Sequence, residues 1–459
     1  MTNLKKTKSK KLVIPSVSKG KDPAKVNYKT ANGKSDDLNL WDKLPREVVL
    51  NIFNRLQQSD LFRLATVCKS WRDLIHTTPH FWRTMHLKLS CAHKSMHSKR
   101  ALWWSNILGG HFKELWISCH HEHAAQGCKS VVNDFQKVIL NLLHLSLTSL
   151  KITDLQLHST WNHLVLGTRY VMTRLLPSLD RLQYFQMSSA NWPVREGFKV
   201  MDTILTVSRG TLQSLVIDGF FDTATLTKRP AEFERVTNGI LSLNRLTKLG
   251  IDYQLLTDSF VTALSRSHTG QLKVLKILAR HMDRNTPRIS KNSWLTLIKA
   301  CPTLKVAFNI DGLNSYITIV DILDPVLPIY KIRLMLKSSL EPSEWDGICT
   351  SAVLGLITIN FRHSLVKFEM EVGRRSCLID LAFIMLVKSC HQLMDVKTWA
   401  HFTYPTTATT VRAILQERRW QHNRRIFQEN ASKRTKLNPE DKAGPSTANA
   451  TSQEGLSEE

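Results

Sequence analysis

Two short windows carry side chains that bind zinc: Cys119-His120-His121-Glu122-His123 with Cys128, and Cys91-x-His93 with His97. Thiolates and imidazoles suit the ion, but a structural site needs ligands in spaced pairs that close a tetrahedron. Neither window has that spacing, and adjacent His120 and His121 cannot easily turn toward one ion. We read a loop of histidines and expect no metal. Nothing singles out one of the eight cysteines as a nucleophile, and Cys68 lies on a helical apolar pattern where packing accounts for it. No G-x-x-x-x-G-K-[ST], G-x-S-x-G or H-E-x-x-H occurs, so phosphate-cradling, nucleophile-elbow and zincin chemistry lack sequence support. Neither a catalytic residue nor a cofactor is expected.

Chemistry by charge remains. The 459 residues carry Lys+Arg 63 against Asp+Glu 38, a net +25, with 42% hydrophobic content that is too high for a disordered basic chain. Much of the surplus is peripheral: residues 1–38 hold ten Lys against three Asp. We read 1–38 and 430–459 as disordered tails, and the run Lys5-Lys6-Thr7-Lys8-Ser9-Lys10-Lys11 as solvated rather than as an import signal. Trp420 among Arg412, Arg418, Arg419, Arg424 and Arg425 has the composition of an RNA-binding stripe. It equally fits a basic closing helix over 411–429, whose Val411, Ile414, Leu415 and Ile426 cover the last repeat and leave the arginines in water, and we take this second reading. The N-terminus leads into lysines rather than an apolar leader. The longest uncharged stretch in the folded body, Gly347 to Phe361, is about 15 residues and short of a bilayer span. A soluble intracellular protein with free thiols is expected, in the cytoplasm and/or nucleus and without a membrane partner.

The elements that would position binding residues fall into two kinds. Between residues 39 and 90, Pro45 and Glu47 suit the first turn of a helix, and Val48, Val49, Ile52, Phe53 and Leu56 then share one face. Ser59 or Asp60 can cap a second helix bearing Leu61, Leu64, Ala65 and Cys68. Trp71, Leu74 and Ile75 lie on a third, and Phe81-Trp82 close the unit. Three helices this short cannot hide so many large apolar side chains among themselves, so part of the set faces a partner or the next domain.

From residue 112 an L-x-x-[LIVF]-x-[LIM] pattern recurs about every 31 residues, the period of a repeat array. Clear copies are Leu212-x-x-Leu215-x-Ile217, Leu246-x-x-Leu249-x-Ile251, Leu272-x-x-Leu275-x-Ile277, Ile329-x-x-Ile332-x-Leu334 and Leu365-x-x-Phe368-x-Met370. Weaker ones begin at Phe112, Leu142, Leu182 and Leu393, and a degenerate one at Leu304 is broken at Val306-Ala307-Phe308. Each copy is one strand, and the stretch before it commonly reads as a helix, as in 257–267, 290–300 and 378–390. Alternation then places Gln186, Val216, Asp218, Asp252, Lys276, Arg333, Glu369, Glu371, Lys397 and Trp399 on the face away from the core. Three are basic and four acidic, a poor platform for a phosphate backbone and a plausible one for a protein. Lys276 and Arg333 are the expected charged substrate contacts and Trp399 the aromatic anchor.

Leu44-Pro45-x-Glu47, Ile52-Phe53-x-x-Leu56, Asp60-Leu61, Val67-Cys68-Lys69-x-Trp71 and Phe81-Trp82-Arg83 together resemble the F-box along its full length. The strand-plus-helix units at 91–410 resemble degenerate leucine-rich repeats. The resemblance implies an α/β chain: a small three-helix F-box, then an irregular solenoid with parallel inner strands and outer helices, between disordered termini. It further implies a Skp-adaptor surface of Leu44, Pro45, Ile52, Phe53, Leu56, Leu61, Val67, Cys68 and Trp71. Through that adaptor the chain would join a cullin-RING ligase as a non-catalytic substrate receptor, its protein substrate unidentified. The rival expectation is an adaptor-bound scaffold or nucleic-acid-binding solenoid with no role in ubiquitination.

Overall fold

A computed structural model describes residues 44–91, 96–121, 128–222, 230–280, 288–312, 316–336, 347–372, 377–399 and 402–437. The tail expected over 1–38 lies outside them. The chain divides into two compact units, Met1–Arg72 and Asp73–Glu459.

In the first unit α1 spans Arg46–Phe53 and α2 Gln58–Leu64, and α3, Lys69–Thr77, begins here and ends in the second. Pro45 stands one place before α1 and its carbonyl accepts the Val48 and Val49 N–H groups, so a residue that cannot donate costs nothing there. The second helix starts ahead of the expected Ser59 or Asp60 cap, after Gln57, and no side chain caps it. At α3 a thiol does the capping: the Trp71 N–H donates to Cys68 Sγ at 3.4 Å. Val49, Phe53, Leu61 and Ala65 are buried, and the Phe53 ring meets Trp71 edge-on at 5.4 Å.

The second unit is built on one sheet of 11 parallel strands in strict sequence order. They are β1 Thr84–Ser90, β2 Glu114–His120, β3 Ser149–Thr153, β4 Tyr184–Ser188, β5 Ser214–Val216, β6 Lys248–Asp252, β7 Val274–Arg280, β8 Lys305–Asp311, β9 Ile329–Leu336, β10 Lys367–Val372 and β11 Asp395–Thr398. A helix follows β1 to β10 in each connection, as parallel pairing requires. The irregular α/β solenoid expected from the repeats is therefore the fold.

Register lines the core in columns. Leu87, Ile117, Ile152 and Met187 align across β1 to β4, and Ile251, Ile277, Phe308, Ile332, Phe368 and Val396 across β6 to β11. Most of this column is closed to solvent, Val396 at the end strand being the partly open exception. The break at Val306-Ala307-Phe308 is a register shift between Val306 and Ala307. Val306 and Phe308 pair with core-side Leu275 and Ile277, and Ala307, itself buried, pairs with Lys276 on the other face, so it is not the core position that the pattern gives it.

Residues 84–90, at the end of the 39–90 segment, form β1, and Met85, Leu87 and Leu89 are buried on its core side. One repeat needs correction. The Leu142-x-x-Leu145-x-Leu147 copy is out of register, for the strand is Ser149–Thr153, and Leu147-x-x-Leu150-x-Ile152 is the true repeat.

The closing helix is longer than 411–429. It runs from Pro405 to Leu437, so residues 430–437 continue it rather than begin a tail. Val411 and Leu415 are buried as expected, but the arginines are not all left to water. Arg418 donates to the carbonyls of Val387, Cys390, Lys388 and Leu393, at 2.6, 2.8, 3.1 and 3.4 Å, and Arg419 to Met394 at 3.0 Å. These carbonyls end the Cys377–Ser389 helix and the turn after it, which lack intrahelical donors. At the other end, buried Asp380 accepts from the Tyr404 and Thr403 N–H groups and the Thr407 hydroxyl at 2.8, 3.2 and 2.9 Å. No helix among the described residues is long and apolar enough to cross a membrane.

Candidate functional site

Strand alternation sends one set of side chains into the core and the other onto the opposite, inner face of the sheet. Three zones follow one another on that face. At the N-terminal end the His86 ring stacks on Trp116 at 3.8 Å and 3°, and Lys151 Nζ lies 3.6 Å from the Trp116 ring centre, a cation–π contact. Burial, then Lys88, Lys151 and His120, push His86 down to about 4, so this imidazole is neutral at physiological pH.

The middle zone is a hydrogen-bonded chain. Tyr184 OH donates to Gln186 Oε1 at 2.5 Å, Gln186 Nε2 to Ser188 Oγ at 2.8 Å, and Ser188 Oγ to Asp218 Oδ1 at 2.5 Å. Lys248 Nζ stands 5.2 Å from the Tyr184 ring centre. Beneath them Asp252 is buried and accepts the Gly219 N–H at 2.8 Å. Gly219 has φ +69, and a Cβ there would meet the Ser189 backbone at 3.1 Å, so glycine is required.

Burial raises Asp252 from 3.8 to about 7, against the pull of Arg280 and the Gly219 N–H. Between those values the folded protein keeps a proton that the unfolded chain has released. Its contribution to stability therefore falls as pH rises from about 4 to 7 and is level above, with a slope of at most about 1.4 kcal/mol per pH unit. Asp252→Asn keeps the accepting oxygen and should remove that slope. Denaturant midpoints at pH 5 and pH 8 measure it, and an unchanged pH dependence in the variant would exclude Asp252 as its source.

In the C-terminal zone Glu369 is shared by Lys331 at 2.7 Å and Arg333 at 3.5 Å, and Lys367 pairs with Asp395 at 3.8 Å. Burial alone would raise Glu369, but Lys331, Arg333 and Lys397 outweigh it and hold the carboxyl below its usual range. Beyond β11 a cleft of about 630 Å³ is lined by Trp399, Phe402, Val411, Leu415, Arg412 and Arg419 among others.

The structure separates the three expected substrate contacts. Lys276 belongs to the middle zone, Arg333 is engaged with Glu369, and Trp399, 55% exposed, stands past the last strand in that cleft. Of the other inner-face positions, Val216 and Asp252 are buried and present nothing to a ligand. Lys151, Lys248, Trp116 and His86 were missed. The true third repeat, Leu147-x-x-Leu150-x-Ile152, would have exposed Lys151; Lys248 precedes its first strand leucine, a position the alternation rule also selects.

On the helical unit the expected adaptor set divides. Pro45, Leu56 and Val67 are exposed, Val67 at 62%, whereas Leu44, Ile52, Cys68 and Trp71 are half-buried. Phe53 and Leu61 are 1% and 3% exposed and belong to the chain's own core, so they have no surface for an adaptor. Val48, 40% exposed, takes a place in the surface set that the motif did not give it.

The two cysteine–histidine windows meet: the Cys91 N–H donates to the His120 carbonyl at 3.3 Å, and the Cys91 and Cys128 side chains are hydrogen-bonded. Cys119 faces the sheet core, where burial raises its thiol strongly. Cys128 precedes the Lys129–Asn141 helix with Sγ 3.1 Å from Ser130 Oγ. His93, Glu122 and His123 lie outside the described residues, among which no three His, Cys, Asp or Glu side chains gather as a metal site.

Residues 41–88 match the F-box-like family model. The chain is 24% identical over 278 residues to F-box/LRR-repeat protein 21 of Mus musculus, and 22% identical over 277 residues to F-box/LRR-repeat protein 21 of Bos taurus. Each match covers 58% of this chain and 58% of the relative. Among solved structures, the leucine-rich repeat-containing protein LegL7 from Legionella pneumophila is 13% identical, covering 72% of this chain and 97% of that one with a TM-score of 0.35.

Proposed function

We propose that the chain is the substrate-recognition component of an SCF-type ubiquitin-protein ligase, binding the Skp adaptor through its F-box-like segment and a protein substrate through the repeat solenoid. The observation that carries this reading is the union, in one chain, of the F-box-like segment 41–88 and a parallel solenoid with a mixed-charge, aromatic-bearing inner face. Within that class, Trp103-Trp104, Cys301-Pro302-Thr303-Leu304-Lys305-Val306 and Val396-Lys397-x-Trp399-Ala400 resemble F-box only protein 39 in particular. The mechanism is positional: holding a target near a charged conjugating enzyme makes a bimolecular encounter effectively intramolecular and raises local concentration by orders of magnitude. The conjugation chemistry belongs to the partners, so the receptor needs no catalytic side chain. It works in the cytoplasm and/or nucleus.

The test is reconstitution. The purified chain is expected to co-elute with purified Skp adaptor and then with a cullin-RING core. Failure to bind the adaptor would reject the reading, and binding without any substrate ubiquitination would favour an adaptor-bound scaffold.

A further inference from the structure

Two thiols from successive repeats are brought together by the fold. Cys91 follows the last residue of β1, and Cys128 stands immediately before the Lys129–Asn141 helix, 37 positions later. Pairing of β1 with β2 sets Ser90 beside His120, and the ladder continues one step further, where the Cys91 N–H donates to the His120 carbonyl at 3.3 Å. The two side chains end within hydrogen-bonding reach of each other. Both are free thiols, partly open to solvent.

Their surroundings set them apart from the other described cysteines. Cys119, Cys301 and Cys390 are buried; burial pushes Cys390 up to about 11 and raises Cys119 strongly, and Cys301 Sγ donates to the His268 carbonyl at 3.3 Å. Cys68 Sγ is engaged by the Trp71 N–H. At Cys128 burial also acts to raise the thiol, but it is outweighed by the Ser130 hydroxyl, whose Oγ lies 3.1 Å from Sγ, by the Ser130 and Val131 N–H groups at the start of the helix, and by Cys91. The thiol is held below its ordinary range, so a larger share of it is thiolate at neutral pH.

We propose that Cys91 and Cys128 are a peroxide-responsive pair that closes to a disulfide, with Cys128 the attacking sulfur and Cys91 the resolving one. The Cys128 thiolate attacks one oxygen of hydrogen peroxide, the O–O bond breaks and hydroxide leaves, which gives a sulfenic acid. Cys91, giving up its proton, then attacks the Cys128 sulfur; the S–O bond breaks and the hydroxyl departs with that proton as water. Two thiols and one peroxide become one disulfide and two waters. A dithiol reductant reverses the step, and in a reducing compartment such a bond is transient, as a sensor requires. The bond ties the end of β1 to the start of the helix after β2, so two neighbouring repeats that hold by pairing and packing gain a covalent staple.

The experiment treats the reduced full chain, freed of reductant, with hydrogen peroxide, alkylates the remaining thiols and maps the peptides by mass spectrometry without reduction. A peptide joining Cys91 to Cys128 is expected, about two mass units lighter than its reduced halves together and lost on adding dithiothreitol. It should form about tenfold or more faster than Cys119, Cys301 or Cys390 is oxidised. In Cys91→Ser the sulfenic acid at Cys128 should persist and be trapped by dimedone, whereas Cys128→Ser should leave Cys91 untrapped. The oxidised wild type should melt above the reduced one, and the difference should vanish in both variants. Absence of the Cys91–Cys128 peptide overturns the proposal, and this wild-type map needs no variant to fold. So do links formed chiefly between chains or with other cysteines, and a dimedone adduct on Cys91 in place of Cys128. An oxidised chain that melts no higher than the reduced one overturns the staple.

Discussion

A Leu44→Ala/Pro45→Ala chain should lose Skp-adaptor binding by about a hundredfold while the solenoid keeps its cooperative melt. Pro45 is exposed and Leu44 half-buried, and what Pro45 gives α1 is its carbonyl, which alanine retains. Deleting surface from these two side chains therefore removes contact area with little damage to the helix. Val67→Asp, at a 62% exposed position beyond the second helix, should act in the same direction by placing a charge in the exposed apolar set of this unit. Phe53→Ala should behave differently. That ring is 1% exposed and edge-on to Trp71, so its removal empties the core of the first unit, at about 3–5 kcal/mol, and abolishes binding by unfolding it. Titration calorimetry with purified adaptor, beside thermal melts, separates the two classes. Adaptor affinity within twofold of wild type in Leu44→Ala/Pro45→Ala would remove these residues from the interface.

The second large effect belongs to the C-terminal end of the sheet. Arg418→Ala should destabilise it by about 2–4 kcal/mol, because four carbonyls at the end of the Cys377–Ser389 helix and the turn after it lose a shared, charged donor while the helix stays in place. Arg418→Lys should recover less than half, since an ammonium lacks the planar fork that reaches several oxygens at once. Hydrogen exchange should quicken in the Pro405–Leu437 helix and β11 before it quickens in β1 to β6. A loss under about 0.5 kcal/mol, the range of ordinary surface changes, would show that the hydrogen bonds contribute little.

Much of this molecule follows from local pattern. Apolar residues at helical spacing after Pro45 make α1 amphipathic in any context, and L-x-x-L-x-I makes a strand whose alternation, as in β7, has one buried side. The helices expected over 257–267 and 290–300 form at Asp258–Ser267 and Lys291–Ala300, with Thr257 and Ser290 as the caps, because capping needs only the side chain and the next turn. The F-box-like segment is legible for the same reason: its signal is contiguous. What the pattern could not settle is which of two overlapping leucine sets is the strand. Leu142, Leu145 and Leu147 and then Leu150 and Ile152 are all buried, and only pairing with β2 and β4 fixes 149–153 as the ladder.

The sequence by itself determined the order of elements and the two-part organisation, since periodicity, caps and contiguous motifs act over a few residues. Only the tertiary structure decided which charges meet. Lys151, Lys248 and Lys276 are separated by up to 125 positions and share one face because register sets β3, β6 and β7 in one sheet; Arg418 finds four carbonyls because the closing helix packs against the one before β11. Electrostatic interactions act through space and fall off within several ångströms, so residue type and spacing along the chain do not reveal them until the chain is folded.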